Sequence, residues 1–213
     1  MKNVVHLIDN MKFMAGLPDK AFDLAIVDPP YGIGISLNPF RQNHISKQWD
    51  SKPNSKYFNE LFRISQRQII WGGNYFDLPK SQGFFIWDKI QPFNFSSAMC
   101  EFAWSSIQSP AKIFRYKVTM EKNRIHPTQK PVALYKWLLK NYAKPGDTIF
   151  DSHVGSGSSR IACYDMGFDF VGCELDPEYW QAQEDRYKNH IAQGQLIRPE
   201  EIQEEIYREG ELI

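Results

Sequence analysis

Short apolar runs alternate with amphipathic segments along most of the chain. The apolar runs, such as AFDLAIV at residues 21–27, have the length of buried strands, and the longer segments repeat apolar residues at helical spacing. The runs predict strands at residues 3–9, 22–28, 68–73, 83–89, 100–106, 112–118, 148–151 and 169–175. Helices are predicted at residues 10–18, 56–66, 131–144, 158–167 and 177–192. The alternation predicts an α/β fold, with a doubly wound, mostly parallel sheet and helices on both faces.

The length and apolar content favour one domain. At 213 residues with 42% hydrophobic residues, the chain can bury a continuous core under one sheet. We predict a domain over residues 1–193, followed by an acidic C-terminal tail at residues 194–213 that carries six glutamates. No apolar run approaches the roughly 20 residues of a membrane-spanning helix, so we expect a cytoplasmic protein without membrane contact.

The charge distribution indicates where a polyanion could bind. The formal net charge is zero, which argues against a protein that binds nucleic acid by being basic overall. A stretch at residues 111–125 is nevertheless basic, with Lys112, Arg115, Lys117, Lys122 and Arg124. This stretch is either a phosphate-binding surface or an ordinary solvated face. The three cysteines form no CxxC pair, so no metal site is predicted.

The second predicted strand is followed by the motif DPPY, at residues 28–31. The prolines end the strand because they cannot donate a hydrogen bond to a neighbouring strand. In open α/β sheets, ligands bind beyond the carboxyl ends of the strands, so Asp28 and Tyr31 are expected to face a ligand crevice. The alternative, a proline-terminated strand with a buried tyrosine, would not require the acid.

A later strand is followed by a glycine turn. In the segment TIFDSHVGSGSSRIACYDMGFDFVGCE, Gly155 and Gly157 allow a tight turn, and Glu174 follows Gly155 by nineteen residues. That spacing is typical of an acid that binds the ribose of a nucleoside cofactor. Arg160 stands where a dinucleotide fingerprint has its third glycine, which disfavours NAD and FAD. Asp151, before the glycines, suits a positively charged ligand such as S-adenosylmethionine.

A third motif, HPTQKP at residues 126–131, precedes the predicted helix at residues 131–144. Thr128, Gln129 and Lys130 would bring hydroxyl, amide, ammonium and free backbone N–H groups together, which suits a carboxylate ligand. Taken alone, this motif also fits an ordinary capped helix start. The glycine turn, taken alone, also fits a tight turn with a solvated acid.

In this order, DPPY, HPTQKP and FDSHVGSG resemble the motifs of the amino-group DNA methyltransferases, which use S-adenosylmethionine to methylate exocyclic nitrogens of adenine or cytosine. The catalytic motif comes first and the cofactor motif last, as in the permuted group called beta. The resemblance extends from about Val4 to His190. It implies the Rossmann-like fold of class I S-adenosylmethionine-dependent methyltransferases, DNA as the partner, and a small enzyme similar to the stand-alone methyltransferases of bacteriophages.

The resemblance also implies roles for the matching residues. The catalytic motif is formed by Asp28, Pro29, Pro30 and Tyr31. The implied cofactor-binding residues are Asp9, His126, Thr128, Gln129, Lys130, Asp151, Gly155, Gly157 and Glu174. There is one departure: Ser152 and His153 replace the family's usual proline and phenylalanine, so an imidazole stands where an aromatic ring would pack near the cofactor.

The acid form of the catalytic motif is usually associated with adenine, so we expect adenine methylation after base flipping. Cytosine-N4 methylation, RNA methylation and a catalytically silent methyltransferase-like binding subunit are the alternatives. Two segments, residues 32–55 and 111–125, are predicted to contact DNA through Arg41, Lys47, Lys112, Arg115, Lys117 and Arg124. The region between the motifs is short for a separate target-recognition domain, which favours a short target or a homodimer.

Overall fold

The computed structural model describes residues 2–33, 51–94, 98–117, 124–126 and 128–193. Within these residues the strands are β1 (Asn3–Leu7), β2 (Phe22–Val27), β3 (Ser65–Trp71), β4 (Phe84–Asp88), β5 (Cys100–Ser105), β6 (Lys112–Arg115), β7 (Thr148–Asp151) and β8 (Asp169–Glu174). The α-helices are α1 (Asn10–Ala15), α2 (Ser55–Ile64), α3 (Val132–Tyr142), α4 (Ser158–Asp165) and α5 (Pro177–Ala192). The predicted acidic tail and most of the predicted DNA-contacting segment 32–55 lie outside the described residues.

The strands form one sheet in the order β1-β8-β7-β2-β3-β5-β4-β6. Strand β5 runs antiparallel to both of its neighbours, and the other described pairings are parallel. In register, Val27 of β2 pairs with Ile70 of β3, and Asp151 of β7 pairs with Gly172 of β8. The parallel strands therefore bring their carboxyl ends to one edge of the sheet.

Alternate residues of β2 face opposite layers of the core. Leu24 and Ile26 pack with side chains of α3 and α4, whereas Ala25 and Val27 pack with side chains of α1 and α2. Trp180 of α5 joins the layer that contains Leu24. Because successive strand residues point to opposite faces, the apolar run at residues 24–27 of β2 is explained by burial on both faces. Helices on both faces of a mostly parallel sheet confirm the predicted fold class.

Several boundaries differ from the sequence-based predictions by one to three residues, and at one of them the predicted helix overlaps a strand. The pattern predicts a helix to residue 66, but α2 ends at Ile64 and β3 begins at Ser65. The Ser65 hydroxyl donates to the Leu61 carbonyl at 2.5 Å, so a polar side chain closes the helix where the strand begins. In the part of the chain that the structure describes, none of the helices has both the length and the apolar character needed to cross a membrane.

Candidate active site

A cleft of about 1420 Å³ opens at the carboxyl edge of the sheet, beyond the ends of β1, β2, β3, β7 and β8. Its lining includes most of the predicted catalytic and cofactor-binding residues: Asp9, Asp28, Pro29, Pro30, Tyr31, His126, Thr128, Gln129, Lys130, Gly155 and Glu174. Asp151 and Gly157 are not part of the lining. The fold therefore brings three motifs that are distant in sequence to one cleft.

The catalytic motif is held by close packing against the backbone after β3. Gly72 has a φ of +69°, and a Cβ at this position would lie 2.2 Å from the Tyr31 ring, so the position requires glycine. Tyr75 stacks on the Tyr31 ring with 5.0 Å between the ring centroids. The Tyr31 hydroxyl donates to Oδ1 of Asp28 at 2.7 Å. Burial raises the pKa of Tyr31 well above its ordinary value, so the hydroxyl keeps the proton that it donates.

Two acids and two lysines form a charge cluster at the end of β2, in which Lys130 is buried and the other three side chains are partly buried. The Lys130 side chain is 2% exposed, and its Nζ contacts Oδ2 of Asp28 and, at 3.1 Å, Oε2 of Glu101. The other carboxylate oxygen of Glu101 lies 2.7 Å from Nζ of Lys89. Lys130 was predicted to bind the cofactor, and the structure places its ammonium against the predicted catalytic acid.

Burial and ion pairing act in opposite directions on the acids and lysines of this cluster. Burial and the nearby Glu101 raise the pKa of Asp28 above its ordinary value, while Lys130 and the Tyr31 hydroxyl oppose this rise. Burial also opposes ionisation of Glu101, but Lys130 and Lys89 bring its pKa down to about 2. Burial alone would lower the pKa of Lys130, yet Asp28 and Glu101 raise that pKa above its ordinary value. Lys130 is therefore charged, and Glu101 is an ionised counter-ion for it.

Glu174 lies beside the glycine turn and binds its main chain. Oε2 of Glu174 accepts from the Gly155 N–H at 2.8 Å, and Oε1 accepts from the Asp176 N–H at 2.9 Å. A carboxylate has about four acceptor sites, so Glu174 can accept further hydrogen bonds from a ligand in the cleft. Gly157 has a φ of +75°, and a Cβ there would lie 3.1 Å from the Gln183 side chain of α5, so this position also requires glycine.

Asp151 lies beneath the cleft and is only 1% exposed. Its Oδ2 accepts from the Ser159 hydroxyl at 2.6 Å, and its Oδ1 accepts from the His153 N–H at 3.0 Å. Burial raises the pKa of Asp151 from 3.8 to about 7, although these two hydrogen bonds oppose the change. Asp151 therefore supports the glycine turn through hydrogen bonds from two uncharged groups, the Ser159 hydroxyl and the His153 N–H.

Ser152 and His153 belong to a polar chain that joins α1 to α2. The Asn10 side-chain amide donates to Nε2 of His153 at 2.9 Å, which leaves the proton on Nδ1 to be donated to Oγ of Ser152 at 2.8 Å. Oγ of Ser152 in turn lies 2.6 Å from the Tyr57 hydroxyl oxygen. Burial lowers the pKa of His153 to about 4, so the ring is neutral. His153, which stands where the family usually has phenylalanine, therefore contributes a neutral imidazole to the cleft lining, and both of its ring nitrogens are hydrogen-bonded.

The HPTQKP motif lies at the start of α3 and leaves one donor without a partner. Nδ1 of His126 accepts from the Thr128 N–H at 3.3 Å, and the His126 ring packs on Tyr179 with 4.5 Å between the centroids. Oε1 of Gln129 accepts from the Ile125 N–H at 3.1 Å. Nε2 of Gln129 is buried and has no hydrogen-bond partner among the described residues. Because buried donors are nearly always paired, this amide is available to donate to a ligand in the cleft that Gln129 lines.

The predicted DNA-contacting residues fall at separate places. Arg124 lines the cleft, whereas Lys112, Arg115 and Lys117 are exposed on or just after the edge strand β6 and outside the cleft lining. Nε of Arg115 lies 3.3 Å from Oδ2 of Asp88 on the neighbouring strand. The two remaining residues, Arg41 and Lys47, lie outside the described residues.

Glu101, Lys89 and Tyr75 line the cleft but were missed by the sequence analysis. Glu101 lies near the start of β5, and because β5 runs antiparallel, its start lies at the edge where the parallel strands end. The hydrophobic pattern does not reveal the direction of a strand. An acid inside the otherwise apolar segment CEFAWS was the available signal.

This fold and cleft define a class of α/β enzyme in which a nucleoside-cofactor site and an acid–proline motif share one edge of a sheet. The family model described as DNA methylase, which covers the N6 and N4 amino-methyltransferases, matches residues 68–185, more than half of the chain. The chain belongs to this family. It is therefore a DNA methyltransferase, as the resemblance implied.

Relatives and solved structures agree with this assignment. The type II methyltransferase M.HpaI of Haemophilus parainfluenzae is 25% identical over 226 residues, which cover 83% of this chain and 71% of that protein. The structure of the M1.HpyAVI–SAM complex is 19% identical, covers 85% of this chain and 98% of its own, and has a TM-score of 0.60. The cytosine-N4-specific PvuII DNA methyltransferase is 11% identical, covers 98% and 92%, and has a TM-score of 0.63.

Proposed function

We propose that this DNA methyltransferase acts on the exocyclic amino group of adenine, which it reaches by flipping the base out of the helix. One observation carries the proposal: Asp28 and Pro29 line the same cleft as the glycine turn and Glu174. Transfer of a group from a cofactor to a base requires that the two molecules are held close together in a fixed orientation. A cleft that binds both molecules brings them close together.

The cofactor of this family is S-adenosylmethionine, as predicted, and when bound it supplies a methyl group on a positively charged sulfur. The residues of the cleft fit this molecule. Glu174 has acceptor capacity for a ribose diol, and the unpaired Nε2 of Gln129 beside the start of α3 is a donor for a carboxylate. Asp151 contributes indirectly, because its hydrogen bonds with the Ser159 hydroxyl and the His153 N–H support the glycine turn.

Asp28 and Pro29 would bind the target amine through its two N–H groups. An exocyclic amine is a poor nucleophile because its lone pair is delocalised into the ring of the base. Hydrogen bonds to the Asp28 carboxylate and the Pro29 carbonyl favour a pyramidal nitrogen whose lone pair is localised, and such fixed acceptors are the electrostatic part of catalysis. Stacking on Tyr31 would return on the order of 1–3 kcal/mol against a flipping cost of a few kcal/mol.

Adenine is proposed because aspartate at the first position of the motif is associated with adenine in the family that the sequence resembles. Cytosine N4 is the second candidate, since the PvuII enzyme with the same fold is cytosine-N4-specific. The two target amines offer the same N–H groups to Asp28 and Pro29. The base is therefore selected by contacts to its ring, and only the product identifies it.

DNA binding is proposed to involve Arg124 at the cleft and the basic residues Lys112, Arg115 and Lys117 near the edge of the sheet. Positive charges at two places would hold the phosphate backbone on either side of an extruded base. A homodimer would add a second set of these charges, and sedimentation analysis of the full chain measures whether it forms.

The test is to express the wild type, Asp28→Ala and Asp77→Ala in a host that lacks adenine methylation and to quantify methylated nucleosides in its DNA by mass spectrometry. Asp77 is the control because it is exposed and does not line the cleft. We expect N6-methyladenine with the wild type and Asp77→Ala and none with Asp28→Ala. Methylcytosine would replace adenine by cytosine as the target, and no methylated nucleoside in DNA would contradict the proposal.

A further inference from the structure

Both oxygens of Asp28 are engaged by groups of the protein itself. Oδ1 accepts from the Tyr31 hydroxyl at 2.7 Å, and Oδ2 is paired with the Lys130 ammonium. The reaction proposed above requires Asp28 to accept a hydrogen bond from the target amine. The two partners take up part of the acceptor capacity of Asp28 and part of the space around it, so an amine that approaches either oxygen from the same direction displaces one of them.

Tyr31 is held more firmly than Lys130. The Tyr31 ring packs directly on the Gly72 backbone and stacks on Tyr75, so its hydroxyl oxygen cannot move away from Asp28 without disrupting that packing, although it also lies 3.4 Å from Oε2 of Glu101. The Lys130 side chain is flexible, and its Nζ is already 3.1 Å from Oε2 of Glu101. Lys130 can thus exchange one carboxylate for another with a small movement.

We propose that the Lys130 ammonium occupies the place of the target amino group in the substrate-free site, and that Glu101 is the positioning residue that receives it when the base enters. This inference rests on the proposed function. The ammonium is a suitable substitute because it presents N–H donors to the same carboxylate that would bind the amine.

Glu101 has the properties that such a receiver requires. Lys130 is buried, and a buried lysine left without a counter-ion would be strongly destabilised, so it can leave Asp28 only if another anion is within reach. Lys89 fixes the other oxygen of Glu101 at 2.7 Å and helps to keep the acid ionised. The cluster contains two acids and two lysines both before and after Lys130 moves. Its net charge therefore does not change when Lys130 releases Asp28.

The experiment compares four purified variants: Glu101→Gln, Lys130→Met, the double variant, and Glu60→Gln. Glu60 is the control because its carboxylate also forms an ion pair, with Arg63 on α2, but does not line the cleft. The measurements are kcat and KM for genomic DNA from a host without adenine methylation, and the dissociation constant for S-adenosylmethionine. Urea unfolding checks that each variant is folded.

With Glu101→Gln, Lys130 has no second carboxylate, so we expect kcat/KM for DNA to fall by roughly tenfold or more while cofactor affinity stays within about twofold. The double variant should be several times more active than Glu101→Gln, because no buried ammonium then competes for Asp28. A misfolded site would show no such recovery.

Two results would overturn the inference alone: a Glu101→Gln enzyme as active as Glu60→Gln, or a double variant no more active than Glu101→Gln. An inactive wild type would overturn the proposed function and this inference together. Transfer to cytosine instead of adenine, with the recovery intact, would correct only the target base and would uphold the exchange of Lys130.

Discussion

Asp28 and Asp151 belong to neighbouring strands of one sheet, yet their charges are compensated in different ways. Asp28 follows β2, lines the cleft and is paired with a buried lysine. Asp151 ends β7, lies beneath the cleft and is bound by a hydroxyl and a backbone N–H. Burial raises the pKa of both acids. The comparison shows that an acid at the end of a strand is not necessarily a substrate-binding residue. The groups that face the acid decide whether a substrate can reach its carboxylate.

The largest expected effect is the loss of the cation beside Asp28. Lys130→Met leaves two partly buried acids beside one lysine, and we expect a loss of about 3–5 kcal/mol in the free energy of unfolding. Ser159→Ala removes one neutral donor from Asp151 and should cost about 1–3 kcal/mol. Urea unfolding measures both, with the exposed Lys188→Met of α5 as a control. A loss for Lys130→Met no greater than that for Ser159→Ala would contradict the distinction between the two acids.

The second prediction concerns the pH dependence of stability at Asp151. Its pKa is about 7 in the folded protein against an ordinary 3.8, so the folded state binds the proton more tightly between these values. Stability should therefore fall as pH rises through this window, by on the order of 4 kcal/mol from this group. Asp151→Asn should remove that contribution, as measured by urea unfolding at intervals of pH. Parallel wild-type and variant curves would show that Asp151 does not titrate in this way.

The neighbouring His153 should have the opposite effect. Its pKa is about 4 in the folded protein against an ordinary 6.5, because burial disfavours the imidazolium. The unfolded chain therefore binds the proton more tightly, and stability should fall as pH drops from 6.5 towards 4, by on the order of 3 kcal/mol. Because Asp151 opposes this change over the same pH range, the acid-side decrease should appear in Asp151→Asn, whereas His153→Gln should gain stability as pH drops. An unchanged acid side in His153→Gln would contradict the neutral, buried imidazole.

The smallest effect is expected far from both acids, at the edge of the sheet. Arg115→Ala and Lys117→Ala should each weaken DNA binding modestly. Each should also reduce the slope of the logarithm of the binding constant against the logarithm of the salt concentration by about one, which corresponds to one released counterion. Lys188→Ala, on α5 at the opposite end of the sheet, should leave both unchanged. Fluorescence anisotropy with labelled duplex DNA at several salt concentrations measures the slopes. Identical slopes for all three variants would exclude β6 and its flank as a DNA-contacting surface.

The sequence predicted the fold class and the strand ends because local patterns encode them. The apolar run of β2, the prolines after Asp28 and the glycines after β7 each have one physical explanation, and parallel pairing then brings the strand ends to one edge. The charge cluster was not predictable in the same way. Glu101 reaches Lys130 only because β5 runs antiparallel, and the direction of a strand is a property of the whole sheet.

The difference between a cleft residue and a supporting residue was also hidden in the sequence. Asp151 has a sequence context as favourable for ligand binding as that of Asp28, with a strand before it and a glycine turn after it. Its carboxylate is turned to Ser159 and the backbone of His153, and this depends on how α4 packs beneath the turn. Packing of that kind follows from the complete fold and leaves no local pattern.

The central claim is that Asp28 acts on the target amine and that Asp151 supports the cofactor site. The most direct test measures methyl transfer from S-adenosylmethionine to genomic DNA from a host without adenine methylation, over a range of cofactor concentrations, for the wild type, Asp28→Ala and Asp151→Ala. Asp28→Ala should lower kcat by roughly 10²–10³-fold at saturating cofactor, whereas Asp151→Ala should chiefly raise KM for the cofactor. An active Asp28→Ala enzyme, or an Asp151→Ala enzyme that saturating cofactor fails to restore, would contradict the claim.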